Sequence, residues 1–280
     1  MPNVFKLPHQ FVDFLTDPGL QTMAGQVPLN QYMSLSKSNG GNAPIDALLA
    51  HLRAKNIRDV DSRLTIDGTV GWTELNLVWK GQGHADAFVK VMDFLCNNQD
   101  QFNGVGGELG KVYKNYFEQN RDEIALQKMV SARYFGIDCI GFVANYLRHV
   151  GLWEKYKPYE IDQWDRVFPK NVRKIDDIEP LNLMIWPGKH VAIIDWVDDS
   201  INGGKRQIDV CQSSSGGPLC HEDVYLSEAG RGWKGYTQFH ITGNPKLPVA
   251  GFCYVMSWPS LHYQQPYRPA SYSVFPAAGD

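Results

Sequence analysis

The chain has 280 residues, of which 43% are hydrophobic and 20% are charged, and its formal net charge at pH 7 is −3. A chain of this length and composition is expected to bury one substantial core and a smaller second one. The slight negative charge provides no basic field for nucleic acid and no reason to expect adhesion to a membrane, so we expect neither as a partner.

The first part of the chain is predicted to be mainly helical. Apolar residues recur at helical spacing between Ala43 and Lys55 and again between His84 and Asn98. A further helical pattern runs from Gly110 to Val130. The glycine-rich stretch 103–107 interrupts these patterns and indicates a break in the chain's organisation.

A cysteine stands at the start of the next predicted helix. Asp138 is a suitable N-cap, apolar residues follow at helical spacing, and Gly151 is typical of a helix C-terminus. Cys139 then lies in the first turn, where backbone N–H groups and the helix dipole stabilise a thiolate. This placement predicts a nucleophile; the alternative is a cysteine that only fills space in the core.

A histidine heads a predicted strand about 50 residues later. Pro187 and Gly188 indicate a turn, and His190 is followed by an apolar run typical of a strand. A base for a catalytic cysteine comes from elsewhere in the sequence but is adjacent in the fold. We therefore expect His190 to be the base for Cys139.

A third polar residue is expected to orient the imidazole. A second strand is predicted from Gln207 to Gln212, and if it pairs with the strand of His190, one of its side chains lies beside that histidine. Gln212 and Asp209 are the candidates, but strand alternation puts them on opposite faces, so at most one can serve. We favour Gln212.

Short strand-like runs dominate the last hundred residues, including Tyr236 to Ile241 and Gly251 to Trp258. Helices followed by antiparallel strands are typical of an α+β domain. We therefore predict a helical N-terminal region, residues 1–105, and a catalytic α+β domain, residues 106–280, with an extended tail from Gln264 onward.

The five cysteines are widely separated, and their spacing predicts neither a disulfide framework nor a zinc site. One group of side chains offers possible metal ligands: Cys220 and His221, beside Glu222 and Asp223. We expect any metal binding there to be fortuitous. We expect no metal and no cofactor.

These motifs resemble those of the NlpC/P60 cysteine peptidases, a family of the papain-like superfamily. The run Asp138-Cys139-Ile140-Gly141-Phe142-Val143 matches five of the six positions of the family's Asp-Cys-Ser-Gly-Phe-Val motif. The histidine motif is matched by Leu183, Trp186, His190, Val191 and Ile193, and Cys211 to Gly217 is similar to the third segment. The resemblance covers about Tyr134 to Trp258. It implies a papain-like core, in which the nucleophile helix packs on an antiparallel sheet.

The resemblance also implies a reaction, the cleavage of an amide bond in bacterial cell-wall peptides, typically between D-glutamate and diaminopimelate. We expect a resting ion pair of Cys139 and protonated His190, and substrate contacts from Tyr134, Asp138 and Trp186. The family's third polar residue would fall on Cys211, so the orienting residue is Gln212, Cys211 or Asp209. Ile140 replaces the family's serine, which predicts altered substrate contacts.

Two other functions remain open at this stage. The same thiol could transfer its acyl group to an amine or a lipid, as a thiol acyltransferase or transamidase does. The chain could also be a non-catalytic peptidoglycan-binding protein. Leu64 to Thr73 resembles the signature of a three-helix peptidoglycan-binding domain, which would tether an enzyme to its polymer.

The N-terminus lacks the apolar core of a secretory signal peptide. We therefore expect synthesis in the cytoplasm and action on the wall or periplasm after non-classical delivery. Delivery into a rival cell as an antibacterial effector, which predicts an immunity protein as partner, and release as a phage-type lysin are the two routes considered.

Overall fold

The computed structural model describes residues 7–32, 65–66, 70–71, 77–99, 103, 107–151, 158–243 and 251–257. The chain divides into two compact units. The first comprises Met1–Val12, Phe142–Ser214 and Leu219–Ala277, and the second comprises Asp13–Gly141, Ser215–Pro218 and Ala278–Asp280. The boundary predicted near residue 105 falls inside the second unit.

The elements before residue 150 are mainly helical but include two small strand pairs. In chain order they are α1 (Pro8–Thr16), β1 (Leu20–Thr22), β2 (Gly25–Val27), β3 (Thr65–Ile66), β4 (Val70–Gly71), α2 (Ala85–Asn97), α3 (Gly107–Val112), a π-helical turn (Tyr113–Phe117), α4 (Asp122–Ser131) and α5 (Cys139–His149). β1 pairs antiparallel with β2, and β3 with β4. The helical pattern predicted from Gly110 to Val130 is therefore two helices and a π-helical turn.

The elements after residue 160 are mainly strands. They are β5 (Lys170–Asn171), β6 (Leu183–Trp186), β7 (His190–Asn202), β8 (Lys205–Ser214), β9 (Gly217–Arg231), β10 (Thr237–Gly243) and β11 (Gly251–Ser257), with 3-10 turns at Ile161–Arg166, Ile175–Asp177 and Trp233–Gly235. The predicted strands at residues 236–241 and 251–258 are confirmed as β10 and β11.

Strands β6 to β11 form a six-stranded antiparallel sheet that closes into a barrel. Each strand from β6 to β10 is hydrogen-bonded to the next, and β11 pairs with both β10 and β6. The registers Phe239 with Cys253 and Tyr254 with Ile185 fix the closure. β5 extends the sheet at β11 through only two residue pairs.

Alternating apolar residues of the six strands fill the barrel because successive side chains on a strand point to opposite faces. The buried cluster holds Met184, Trp186, Ala192, Ile194, Val197, Ile208, Val210, Val224, Leu226, Phe239, Ile241, Cys253 and Val255. His190 lies two residues before Ala192, and Gln212 two residues after Val210, so both side chains belong to the inward face at the end of the cluster.

Helix α5 is anchored in the first unit by aromatic packing. The ring of Phe11 on α1 contacts Phe142, Tyr146 and His149, with centroid separations of 5.6, 6.0 and 4.9 Å. Phe142 and Tyr146 are fully buried. The helix ends at His149, and Gly151 two residues later has a φ of 76°, which suits the left-handed position that follows many helices, as predicted.

The predicted fold class is wrong. We expected a papain-like α+β core, with the nucleophile helix packed on an antiparallel sheet, preceded by a helical region; the structure has a closed six-stranded antiparallel barrel, and the strand pairs β1–β2 and β3–β4 interrupt the N-terminal region. The error arises in part from β9, where the buried residues Val224 and Leu226 stand among polar residues, including Glu222, Asp223 and Glu228, and give no clear apolar alternation. The barrel closes through the pairing of β6 with β11, which are far apart in the sequence, and local periodicity does not show such a contact.

Within the described ranges, no helix has both the length and the apolar character needed to cross a bilayer. The predicted helix 43–55 and the tail from residue 264 lie outside the described residues. Of the segment 64–73, the structure describes only β3 and β4.

Candidate functional site

Cys139 lies at the start of α5, and the preceding residue caps this helix end. The Oδ1 atom of Asp138 accepts a hydrogen bond from the backbone N–H of Gly141 at 2.7 Å, which confirms the predicted N-cap. Its Oδ2 atom accepts a hydrogen bond from Gln82 Nε2 at 2.8 Å. Asp138 is 1% exposed, so this carboxylate supports the helix from within the second unit.

The N-terminal turn of α5 packs directly on backbone. A Cβ atom added to Gly141 would lie 2.2 Å from the carbonyl oxygen of Gly81, far inside contact distance. The same carbonyl accepts a hydrogen bond from the backbone N–H of Asp138 at 2.8 Å. Only glycine allows this approach, which fixes the start of the helix and with it the backbone of Cys139.

Tyr32 is a neighbour of Cys139 that sequence reasoning missed. Its hydroxyl hydrogen-bonds with the Cys139 side chain. Burial raises the pKa of Tyr32, and the charges of Cys139 and Asp138 raise it further. The segment is held in place because Ile137 N–H donates to the carbonyl of Gln31 at 2.8 Å. No local motif marks Tyr32, since only the fold brings its segment to the start of α5.

In the first unit, His190 begins β7 and Gln212 lies near the end of β8. His190 Nε2 and Gln212 Oε1 form a short hydrogen bond, and His190 is only 3% exposed. Of the three candidates for the orienting residue, Gln212 is the one that contacts His190. An oxygen can only accept, so this contact places the proton of a neutral His190 on Nε2 and leaves Nδ1 as the basic nitrogen.

Burial determines the charge of His190. It lowers the pKa from the ordinary value of 6.5 to about 4, while the hydrogen bond that His190 donates to Gln212 acts in the opposite direction. The imidazole is therefore neutral at pH 7. This differs from the expected resting ion pair, because the sequence placed His190 at an exposed strand entry and the structure buries it at the end of the barrel.

The two other candidates for the orienting residue have different partners. Asp209 Oδ1 accepts from the backbone N–H of Asp223 at 3.3 Å. Cys211 forms a disulfide with Cys220. This bond was not expected from the spacing of the cysteines, because it depends on β8 lying beside β9. Since Cys220 is in the disulfide, its thiolate cannot belong to the metal ligand set considered with His221.

Trp186 pairs across the strands with His190, and their ring centroids are 5.4 Å apart. Trp186 is 2% exposed, and its indole N–H has no hydrogen-bond partner among the residues that the structure describes. A buried indole N–H normally finds an acceptor, so this donor is an exception within the buried cluster of the barrel, on the ring that packs against His190.

Tyr134 belongs to an aromatic cluster in the second unit. Its ring packs edge-on against Trp79 and Tyr116, at centroid separations of 6.3 and 5.4 Å. Burial raises the pKa of Tyr116 to about 12, and Tyr134, which hydrogen-bonds with it, adds to the shift. These contacts are those of a packing residue.

The described part of the chain contains no group of three or more His, Cys, Asp or Glu side chains that could hold a metal ion. A cavity of about 910 Å³ lies in the first unit beside β5, with Lys170, Arg173 and Arg231 among its charged lining. None of the predicted site residues lines it.

Comparison of the chain with protein-family models, with curated proteins and with solved structures gives no match. The resemblance to the NlpC/P60 peptidases therefore stays a prediction that rests on the motifs alone.

Proposed function

We propose that this chain is a cysteine hydrolase that cleaves an amide bond in bacterial cell-wall peptides, with Cys139 as the nucleophile and His190 as the base. The observation that carries the proposal is the buried hydrogen bond between His190 and Gln212, which fixes the imidazole of the proposed base. A base fixed by a third polar residue is the arrangement that nucleophilic catalysis uses.

The surroundings of Cys139 support its role as the nucleophile. Its helix start is capped by Asp138, and backbone N–H groups at a helix N-terminus favour negative charge both on the sulfur and on a developing oxyanion. The Tyr32 hydroxyl can donate to the sulfur as charge develops there. The backbone N–H of Cys139 is the proposed oxyanion donor.

The proposed reaction starts from a neutral imidazole. His190 Nδ1 takes the thiol proton as Cys139 Sγ bonds to the amide carbonyl carbon, and the resulting imidazolium donates that proton to the leaving amine as the carbon–nitrogen bond breaks. Water, deprotonated by His190, then adds to the thioester, and the carboxylic product leaves as Sγ recovers the proton. Gln212 holds the imidazole throughout.

The proposed substrate follows from the motif around the nucleophile and from Trp186. Five of six motif positions are shared with enzymes that cut wall peptides, and the ring of Trp186 packs beside the proposed base. Ile140 departs from the shared motif, and its side chain is buried, so its contribution to a substrate site differs from that of serine.

The test is incubation of the protein with purified muropeptides, followed by mass spectrometry. The wild type is expected to release a new amine on diaminopimelate, whereas a stem peptide freed from muramic acid would mark an amidase. Cys139→Ala and His190→Gln are expected to release nothing, and Cys96→Ala, which changes another buried cysteine, is the matched control. Cleavage by Cys139→Ala would overturn the proposal.

The same experiment separates the other two functions. Transfer to an added amine in place of water identifies an acyltransferase, and peptidoglycan binding without turnover identifies a binding protein. For delivery as an antibacterial effector, the chain is directed to the periplasm of a test bacterium. Equal growth of cells carrying wild type and Cys139→Ala would argue against that role.

A further inference from the structure

Beyond Gln212, the hydrogen bonding at the end of the barrel continues to a second histidine. Gln212 Nε2 lies 2.6 Å from His221 Nε2, and Gln212 and His221 are 0% and 4% exposed. Three side chains from β7, β8 and β9 thus form one buried series, His190–Gln212–His221. From the sequence, His221 is a candidate only for a metal ligand set.

The two ends of the Gln212 amide have opposite hydrogen-bonding properties. The NH2 group can only donate, so the ring nitrogen of His221 that faces it must be the unprotonated acceptor, and the neutral His221 carries its proton on Nδ1. The oxygen can only accept, so His190 must donate from Nε2. A flipped amide would place its NH2 group against the Nε2–H of His190.

We propose that His221 is a positioning residue: its Nε2 lone pair sets the orientation of the Gln212 amide, and the amide in turn holds His190 in the tautomer whose Nδ1 is basic. As a contribution to catalysis, this inference rests on the hydrolase function proposed above. The tautomers themselves are a property of the folded protein and need no substrate.

The disulfide keeps this series together. Cys211 immediately precedes Gln212 on β8, and Cys220 immediately precedes His221 on β9. The covalent bond therefore joins the two strands one residue away from the hydrogen bond between amide and imidazole. It keeps the hydrogen-bonding partners at a fixed separation at the end of the barrel.

The test is NMR spectroscopy of the full chain with 15N-labelled histidine at pH 7, where 15N shifts distinguish protonated from unprotonated ring nitrogens. In the wild type we expect His190 protonated on Nε2 and His221 protonated on Nδ1. The reverse pair of tautomers would overturn the proposal without any variant.

His221→Phe removes the acceptor and keeps a flat ring. In this variant we expect His190 to populate both tautomers, and kcat on muropeptides to fall by about 10-fold with KM unchanged, as the loss of one buried hydrogen bond predicts. A variant with a native amide spectrum in which His190 keeps the single Nε2–H tautomer would contradict the role of His221.

Gln212→Glu provides the rescue, because both carboxylate oxygens accept and no orientation is needed. In the double variant Gln212→Glu/His221→Phe we expect His190 to keep a proton on Nε2 in every molecule, as the neutral Nε2–H tautomer or as the imidazolium that a carboxylate favours, and a population with its proton on Nδ1 alone would count against the mechanism. The two proposals can fail separately. If the tautomers respond as expected but neither the wild type nor any variant cleaves muropeptides, the hydrolase proposal is wrong, whereas the role of His221 in orienting Gln212 is supported.

Discussion

Burial of His190 predicts a pH dependence of stability that can be measured without a substrate. The pKa of this histidine falls from 6.5 in an exposed chain to about 4 in the folded protein, because the buried imidazole resists protonation. As the pH falls below 6.5, the unfolded chain takes up the proton before the folded one does. The stability that His190 contributes is therefore complete above about pH 6.5 and is lost as the pH falls to about 4.

The difference between 6.5 and about 4 corresponds to roughly 3 kcal/mol of unfolding free energy. The side chain is 3% exposed, so solvent screening does not reduce this value. The comparison is between wild type and His190→Gln, which keeps a polar group beside Gln212 but has no proton to gain.

The assay is urea denaturation of both proteins at several pH values between 4 and 7. Other groups titrate equally in the two proteins, so the difference between them isolates His190. We expect wild type to lose about 3 kcal/mol more than the variant between pH 7 and pH 4. A difference that stays constant across this range would mean that the pKa of His190 is ordinary, and would refute the argument from burial.

Three further predictions concern neighbouring features. Gly141→Ala should destabilise the protein by about 1 to 3 kcal/mol, because the new methyl group meets a backbone carbonyl at 2.2 Å; an unchanged melting temperature would contradict that packing. Replacing both Cys211 and Cys220 by alanine should lower the unfolding free energy by about 2.5 kcal/mol, since their bond closes a short loop. An equal unfolding free energy in the wild type and the double variant would argue against this. Tyr32→Phe should lower kcat/KM by about 5-fold through loss of one hydrogen bond to the nucleophile, and an unaltered value would remove the hydroxyl from the mechanism.

Local features of the fold were predictable from the sequence because they depend on neighbouring residues. The helix 84–98 is confirmed as α2, and the capped helix after Asp138 is confirmed as α5. The turn at Pro187 and Gly188 and the strand that begins at His190 are also present. Capping, periodicity and turn chemistry act over a few residues, which is why the sequence alone indicates them.

Features that depend on which strands pair, and in which register, were not predictable. The closure of the barrel joins β11 to both β6 and β10, and no local pattern encodes that arrangement. The bond between Cys211 and Cys220 and the contact of Gln212 with His221 both follow from β8 lying beside β9. Strand alternation correctly separated Gln212 from Asp209, but the second histidine needed the register of β9.

The most direct test of the central claim, that His190 acts as the base for Cys139, is the rate of carboxymethylation of Cys139 by iodoacetate at pH 7. Burial raises the pKa of Cys96 to about 12 and also raises that of Cys253, so peptide mass spectrometry should find both nearly unmodified. We expect wild type to react at least about 10-fold faster than His190→Gln at Cys139, because the neutral imidazole can take the thiol proton as Sγ bonds to the reagent and the variant has no base there. Equal rates at Cys139 in the two folded proteins would contradict the account.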